Sequence, residues 1–217
     1  MKILIVHAHE NPESFCSALA LSAKKHFTQA GHEVSFSDLY SMSFNPVASK
    51  NDFTNLSGAE YYKYANEQLN ASKHRFFHKD VQEEIDKLLE ADIINFNFPL
   101  WWWGMPAILK GWVDRVMAYG VAYGGNYGFK QNGRFVGKQA FITTTTGSPK
   151  TAYDYTGHND KSVHGILSLL HEGIFELLGY KVLEPFIAYG VSRINQSDRE
   201  DILKEYLLRL NGISIPN

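Results

Sequence analysis

Apolar residues recur along this chain in two alternating patterns, short continuous runs and stretches with helical spacing. The first run, residues 2–7, is rich in β-branched side chains and leads into a polar loop that contains Pro12, which predicts a buried strand. Ser14 is a predicted N-cap, and helical spacing then continues from Phe15 until Gly31 ends it. Further strands are predicted at residues 33–39, 91–98, 138–146 and 182–189, and further helices at 81–89, 108–117, 163–178 and 198–210.

This alternation of strands and helices predicts an α/β fold of the doubly wound class. Such a fold has a mostly parallel sheet, helices on both faces and right-handed crossovers. We expect a single domain over residues 1–217, with an insertion at about 40–78 that is partly helical. Ligands of doubly wound sheets bind beyond the carboxyl ends of the strands, where the strand order switches. The loops that follow strands are therefore the candidate site.

Composition excludes several classes of partner. A net charge of −2 and a pI near 6.5 provide no basic field for nucleic acid. The only cysteine, Cys16, cannot form an internal disulfide, no apolar span approaches transmembrane length, and we expect a cytoplasmic protein without membrane insertion. The histidines show no metal-ligand spacing, so no metal site is predicted. The sequence also lacks the dinucleotide-binding glycine motif, the P-loop and the hydrolase nucleophile elbow.

The loop from His9 to Cys16 leads from the first strand into the first helix. Backbone amides and the Ser14 hydroxyl at this helix N-terminus suit a phosphate group, such as the pyrophosphate of a flavin. The alternative is that Ser14 only caps the helix and that His9 is only a polar loop residue.

The segment Phe98-Pro99-Leu100-Trp101-Trp102-Trp103-Gly104-Met105-Pro106 is more specific. Side chains of a strand alternate between faces and prolines interrupt strand pairing, so three adjacent tryptophans cannot all enter the core. A Pro-bounded aromatic loop provides flat apolar walls for a planar heterocycle such as isoalloxazine. A hydrophobic dimer contact is the alternative, and the two are compatible.

The third loop, residues 143–148, ends a strand in hydroxyl groups and in Gly147, whose backbone allows a ligand to approach closely. Tyr153 and His158 follow, and both are able to donate a hydrogen bond to a heterocycle that gains negative charge on reduction. A solvated or capping role is the alternative for His158.

Eight short segments, taken together, carry a family resemblance. They are Ala8-His9, Ser14-Phe15, Asp38-Leu39-Tyr40, Phe44-Asn45-Pro46, Phe98-Pro99-Leu100, the run from Pro106 to Trp112, Thr145-Thr146-Gly147 and Leu183-Glu184-Pro185. In combination they closely resemble the NAD(P)H:quinone reductases of the DT-diaphorase family. The resemblance implies a flavodoxin-like five-stranded sheet of order 2-1-3-4-5, a homodimer with sites at its interface, tightly held FAD, and ping-pong hydride transfer from NAD(P)H to a quinone.

The resemblance also implies roles for individual residues. Those expected to line the ADP and phosphate side of the flavin are His9, Ser14, Phe15, Cys16 and Ala18. Those expected around the isoalloxazine are Pro99, Leu100, Trp102, Trp103, Thr145, Thr146, Gly147 and Ser148. Arg199 matches an arginine near the far end of the cofactor, Tyr153 and His158 are the expected catalytic pair, and Trp102 faces the substrate. Tyr123 matches a substrate-pocket tyrosine that the partner subunit contributes.

Three departures from the family pattern bear on acceptor choice and catalysis. Cys16 stands where relatives often carry asparagine, Gly125 replaces the second tyrosine of the pocket, and His158 is one residue closer to Tyr153 than the family histidine. FMN is kept as an alternative to FAD, because the expectation of FAD rests on the Ser14-Phe15 match to the family. Other functions left open are a regulatory flavoprotein subunit of a potassium efflux system, an azo or nitro reductase using the same flavin chemistry, and an electron carrier.

Overall fold

The computed structural model describes residues 1–154 and 163–213. Its centre is a parallel sheet of β1 Lys2–His7, β2 Glu33–Asp38, β3 Ile93–Pro99, β4 Gln139–Thr145, β5 Lys181–Val182 and β6 Phe186–Ala188. The strand order is β2-β1-β3-β4-β5, and β6 also pairs with β4. The predicted order and the doubly wound class are confirmed. The chain reverses its direction of winding between β1 and β3, which places a switch point at their carboxyl ends.

The prediction of one continuous strand over residues 182–189 is wrong. β5 pairs with Gln139 and Ala140, whereas β6 pairs with β4 from Thr143 to Thr145, so two short strands share the fifth position. The interruption falls at residues 183–185, and Pro185 has no backbone N–H with which to continue the ladder.

Helices cover both faces of the sheet. They are α1 Phe15–Gln29, α2 Tyr64–His74, α3 Lys79–Glu90, α4 Ala107–Val116, α5 Thr151–Asp154, α6 Val163–Leu170 and α7 Gln196–Asn211. The helix predicted at 163–178 changes after α6 into a π-helix, His171–Glu176. A short 3₁₀ helix, Lys50–Asp52, and α2 lie within the segment 40–78.

The core on each face follows from the alternation of side chains along the strands. Ile3 and Ile5 of β1 pack with α1 and α7, while Leu4 and Val6 pack on the opposite face with α3, α4 and α6. All seven residues of β3 are buried, as expected for a central parallel strand covered on both sides. Among the described residues, no helix combines the length and apolar character needed to cross a bilayer.

A buried ion pair ties the segment 40–78 to the helical layer. Arg115 of α4 donates to Asp52 at 3.0 Å, to Asp80 at 3.1 Å and to the carbonyl oxygen of Asn45 at 2.6 Å. Its guanidinium also lies over the ring of Phe44. Hydrogen bonds from several directions offset the cost of burying these charges. The segment is thereby fixed against α3 and α4.

Candidate active site

The loop after β3 is a tight turn built from tryptophans. Trp101 N–H donates to the Gly104 carbonyl and Gly104 N–H donates to the Trp101 carbonyl, both at 3.0 Å. The two central residues, Trp102 and Trp103, have φ of 48° and 61°. This left-handed conformation costs roughly 1–3 kcal/mol for each non-glycine residue and is concentrated at ligand clamps. The strained turn leaves the Trp102 side chain 98% exposed.

A concavity of about 350 Å³ lies beside this turn and is lined by Leu100, Trp102, Trp103, Ser148, Ala152 and Tyr153. The ring of Tyr153 packs edge-on against Trp103, with ring centroids 5.4 Å apart, and it contacts Tyr189 on another side. The concavity therefore has flat aromatic walls and one phenolic hydroxyl. Such a site suits a planar ligand.

The loop after β4 forms another wall and is fixed by its own hydrogen bonds. Thr145 accepts from the Leu100 N–H at 2.9 Å, which joins this loop to the tryptophan turn. The Thr146 hydroxyl donates to the Ser148 carbonyl at 2.8 Å. A Cβ added at Gly147 would meet only the Ser192 hydroxyl, at 3.9 Å. The protein thus leaves open space beside the Gly147 backbone.

The N-terminus of α1 lies at the same edge of the sheet, after β1. Ser14 caps the helix: its hydroxyl accepts from the Ser17 N–H at 3.1 Å and its carbonyl from the Ala18 N–H at 2.9 Å. The amides of Phe15 and Cys16 precede these bonds and point out of the helix end, where an anion is stabilised. Cys16 is buried with its thiol 3.3 Å from the Asn97 side-chain amide, and burial raises the pKa of the thiol to about 12. Any contact from Cys16 to a ligand must come from its backbone.

His9 and Trp101 connect the loop after β1 to the loop after β3, with ring centroids 6.3 Å apart. The Nδ1 atom of His9 accepts from the Asn11 N–H at 3.0 Å, so the proton of the neutral ring is on Nε2. Burial lowers the pKa of His9, which favours this neutral form. His9 is thus placed as a hydrogen-bond donor at the rim.

Arg199 lies behind the loop after β4. Its Nη2 donates to the Val191 carbonyl at 3.0 Å, and Val191 N–H in turn donates to the Thr146 carbonyl at 3.0 Å. The Nε of Arg199 is buried without a hydrogen-bond acceptor among the residues that the structure describes. A buried guanidinium N–H without an acceptor destabilises the fold, because its lost hydration is not replaced. An anionic or carbonyl ligand that accepts from it would remove this penalty.

Two predicted site residues are not part of this arrangement. Tyr123 lies in a separate apolar cavity of about 270 Å³, whose lining includes Met117, Phe129 and Ile174. Its ring contacts that of Tyr119 at 5.4 Å. His158 lies outside the described residues. The structure thus brings together residues from the loops after β1, β3 and β4, with Arg199 behind them.

Sequence reasoning missed a buried polar group under the α1 N-terminus, formed by His7, Ser17 and Asn97. The side chain of His7 lies 2.7 Å from that of Asn97 and 3.0 Å from the Ser17 hydroxyl. Polar residues inside otherwise apolar strands were the available signal, because buried polar groups need partners. Ala152 was also missed, since it is not distinctive outside its folded context, and Trp101 was identified only as part of the aromatic segment.

Comparison with known proteins places this chain in a family. A family model described as flavodoxin-like fold matches residues 1–212. A ribosyldihydronicotinamide dehydrogenase [quinone] of Rattus norvegicus is 38% identical over 213 residues, which cover 98% of this chain and 91% of the relative. An NAD(P)H dehydrogenase [quinone] 1 of Cavia porcellus is 37% identical over 215 residues, covering 98% of this chain and 77% of the relative.

Solved structures agree with this placement. A candidate quinone reductase from Klebsiella pneumoniae superimposes with a TM-score of 0.90 at 35% identity, covering 97% of this chain and 84% of that one. An azoreductase from Bacillus anthracis gives a TM-score of 0.59 at 17% identity over 97% and 96% of the two chains, which shows a shared fold alone. The resemblance inferred from the sequence is confirmed, and the chain belongs to the flavodoxin-like family of quinone reductases.

Proposed function

We propose that this protein is an FAD-dependent NAD(P)H:quinone oxidoreductase that works by ping-pong, two-electron transfer. The observation that carries the proposal is the strained turn that holds Trp102 and Trp103 beside Tyr153, at the switch point of the sheet. Backbone strain of this kind persists where the surrounding fold compensates for it, and it is concentrated at functional sites. The names of the relatives supply the class of reaction.

The described residues fit a flavin nucleotide. Trp103 and Tyr153 would border the ring system, and the open space beside Gly147 admits its edge. Ser14 and the amides at the start of α1 would hold phosphate. Arg199 offers a buried donor without a partner in the described part of the chain, which favours an electronegative ligand nearby. When bound, the flavin supplies the capacity to accept a hydride from NAD(P)H and to deliver it to the acceptor.

The protein's own residues would orient the substrates and exclude water. The exposed ring of Trp102 would stack on whichever planar substrate occupies the concavity, so NAD(P)H and the quinone use the same place in turn. The Tyr153 hydroxyl would donate a hydrogen bond where negative charge develops, which lowers the barrier electrostatically. The family resemblance implies the same role for His158, and the proposal includes it.

We propose FAD rather than FMN because the Ser14-Phe15 helix start matches the family that holds FAD.

A homodimer completes the proposal, with Tyr123 facing the partner's site. Its support is that the cavity around Tyr123 is apolar and includes the half-exposed ring of Phe129. The cytoplasmic location expected from the sequence stays a prediction.

The test begins with the purified protein, whose bound chromophore is released and identified by chromatography. The holoprotein is then mixed anaerobically with NADH or NADPH in a stopped-flow instrument. We expect bleaching of bound FAD that is reversed by menadione. A protein that takes up no flavin contradicts the proposal, and bound FMN contradicts its FAD part. Steady-state turnover with menadione alone separates the enzyme from a regulatory subunit, and azo dyes or nitro compounds test the related reductase activities.

A Trp102→Ala variant tests the observation that carries the proposal. We expect loss of stacking to slow reduction and reoxidation by roughly tenfold or more, while stability stays unchanged because the Trp102 side chain is 98% exposed. Leu208→Ala on α7, another exposed apolar side chain, is the matched control and should leave both rates unchanged.

A further inference from the structure

A buried chain of hydrogen bonds runs beneath the phosphate end of the proposed flavin site. It begins at Asn97 in the centre of β3, passes through His7 at the end of β1, and reaches Ser17 and Ser14 at the start of α1. His7, Ser17 and Asn97 are all buried. Protons in such a chain have few alternative positions, so their donors and acceptors follow from counting.

The Ser17 hydroxyl has a single proton to donate. That proton is donated to the Asn11 carbonyl at 2.8 Å. The Nε2 atom of His7 lies 3.0 Å from the same hydroxyl oxygen, so Nε2 must carry the proton of this contact. Burial is the main cause that lowers the pKa of His7, which keeps the imidazole neutral with only one ring proton. The other ring nitrogen, Nδ1, is then an acceptor.

The Asn97 amide fits this assignment once it is turned by half a turn about its terminal bond. The structure places its Oδ1 atom 2.7 Å from His7 Nδ1 and 3.3 Å from the Cys16 thiol, whereas an acceptor at Nδ1 requires the amide nitrogen in that position. A half-turn places the nitrogen against Nδ1 and gives up only the weak hydrogen bond from the Cys16 thiol to Oδ1. In the opposite orientation the nitrogen is buried with no acceptor anywhere in residues 1–154 or 163–213. Orphaned buried N–H groups are rarer than under-satisfied carbonyl oxygens, so the orientation with nitrogen toward His7 is favoured.

These two hydrogen bonds determine where the Ser14 hydroxyl can donate its proton. Its hydroxyl oxygen accepts from the Ser17 N–H at 3.1 Å, and it lies 2.9 Å from the Ser17 hydroxyl. Because His7 already donates to Ser17, and Ser17 donates to Asn11, the Ser14 proton is the one proton of the chain that is free to turn. It points either to Ser17 or outward to an anion at the helix N-terminus.

We propose that His7 is a positioning residue for flavin phosphate: by donating to Ser17 from Nε2, it frees the Ser14 hydroxyl to donate to a phosphate oxygen. The identity of the anion rests on the proposed function. The direction of the hydrogen bonds does not, since it follows from the protein alone.

Three variants separate this role from simple packing. His7→Leu removes both polar contacts. His7→Gln places an amide nitrogen near the position of Nε2 and keeps the donation to Ser17, whereas His7→Asn is too short and keeps only the Asn97 contact. Dissociation constants of FAD and riboflavin are measured by fluorescence titration of the flavin-free protein, with circular dichroism and thermal unfolding as checks on folding.

We expect His7→Leu and His7→Asn to bind FAD roughly tenfold more weakly, as for one lost hydrogen bond to a charged group. His7→Gln should stay within about threefold of the wild type. Riboflavin has no phosphate, so its affinity should be equal in all four proteins. Unchanged FAD affinity in a folded His7→Leu overturns the proposal, and so does an equal loss for riboflavin. If His7→Leu does not fold, the FAD dissociation constants of His7→Asn and His7→Gln are compared instead, and equal values overturn the proposal.

A second measurement needs no flavin. Nitrogen-15 NMR of the imidazole rings in the flavin-free protein at neutral pH should show His7 as the Nε2–H tautomer, and an Nδ1–H tautomer overturns the inference. If the wild type binds no flavin, the proposed function fails. Thermal stabilisation by inorganic pyrophosphate, compared between wild type and His7→Leu, then replaces the flavin titration. Equal stabilisation of the two overturns the positioning role.

Discussion

Replacing Gly111 by alanine should destabilise the protein, although alanine is the better helix former. Gly111 lies in the middle of α4, where its missing side chain admits the chain that follows β2. A Cβ at this position would lie 2.2 Å from the Pro46 carbonyl oxygen, 2.4 Å from its Cα and 2.5 Å from its Cβ. These are backbone and ring atoms, which cannot turn aside as a flexible side chain would.

Two opposing effects determine how much Gly111→Ala changes the free energy of unfolding. Helix propensity favours alanine over glycine by about 1 kcal/mol. Overpacking costs about 1–3 kcal/mol, and three contacts this short place the cost at the upper end. Movement of Pro46 would also disturb the hydrogen bond from Arg115 to the neighbouring Asn45 carbonyl. The net loss is about 2 kcal/mol, which for a chain of this size lowers Tm by roughly 4–8 °C.

Differential scanning calorimetry and urea unfolding of the same holoprotein preparations provide the assay. Gly173→Ala is the matched control, because Gly173 lies in the π-helix and a Cβ there would meet nothing within 4 Å. The control should be unchanged or more stable by about 0.5–1 kcal/mol. A Gly111→Ala protein that unfolds at or above the wild-type temperature would refute the steric argument.

The remaining predictions concern the site and the buried charges. Gly147→Ala should leave stability unchanged, because the nearest protein atom lies 3.9 Å from the new Cβ. FAD fills that space in our proposal, so its binding should weaken roughly tenfold, as measured by fluorescence titration. Arg115→Leu should lower the urea-unfolding free energy by about 3–5 kcal/mol, because Asp52, 1% exposed, loses its counter-charge; Lys110→Leu, from an exposed pair, should change it by less than about 1 kcal/mol. Cys16 should not react with DTNB in the native protein at pH 8, since burial raises the pKa of its thiol to about 12, and it should react fully in guanidinium; native reactivity would contradict the buried position.

Much of the fold was predictable because parallel strands covered on both faces are continuous apolar runs. The runs predicted at residues 2–7 and 91–98 are mainly of this kind, and they correspond to the central strands β1 and β3. The fifth position was predicted less well. Residues 182–189 are apolar enough for one strand, but Pro185 divides them, and only pairing with β4 shows where each half belongs.

By itself, the sequence determined the alternation of strands and helices, the Ser14 cap and the family, because these depend on local pattern and on motif. It also indicated the loops of the candidate site. Tertiary structure alone decided how those loops meet. The left-handed tryptophan turn is unfavourable locally and exists only because its surroundings compensate for the strain. His7 and Asn97 are 90 residues apart, and adjacent strands bring them within 2.7 Å. Which nitrogen of His7 carries the proton depends on the Ser17 hydroxyl and the Asn97 amide on either side of the ring, so no local pattern of residues could specify it.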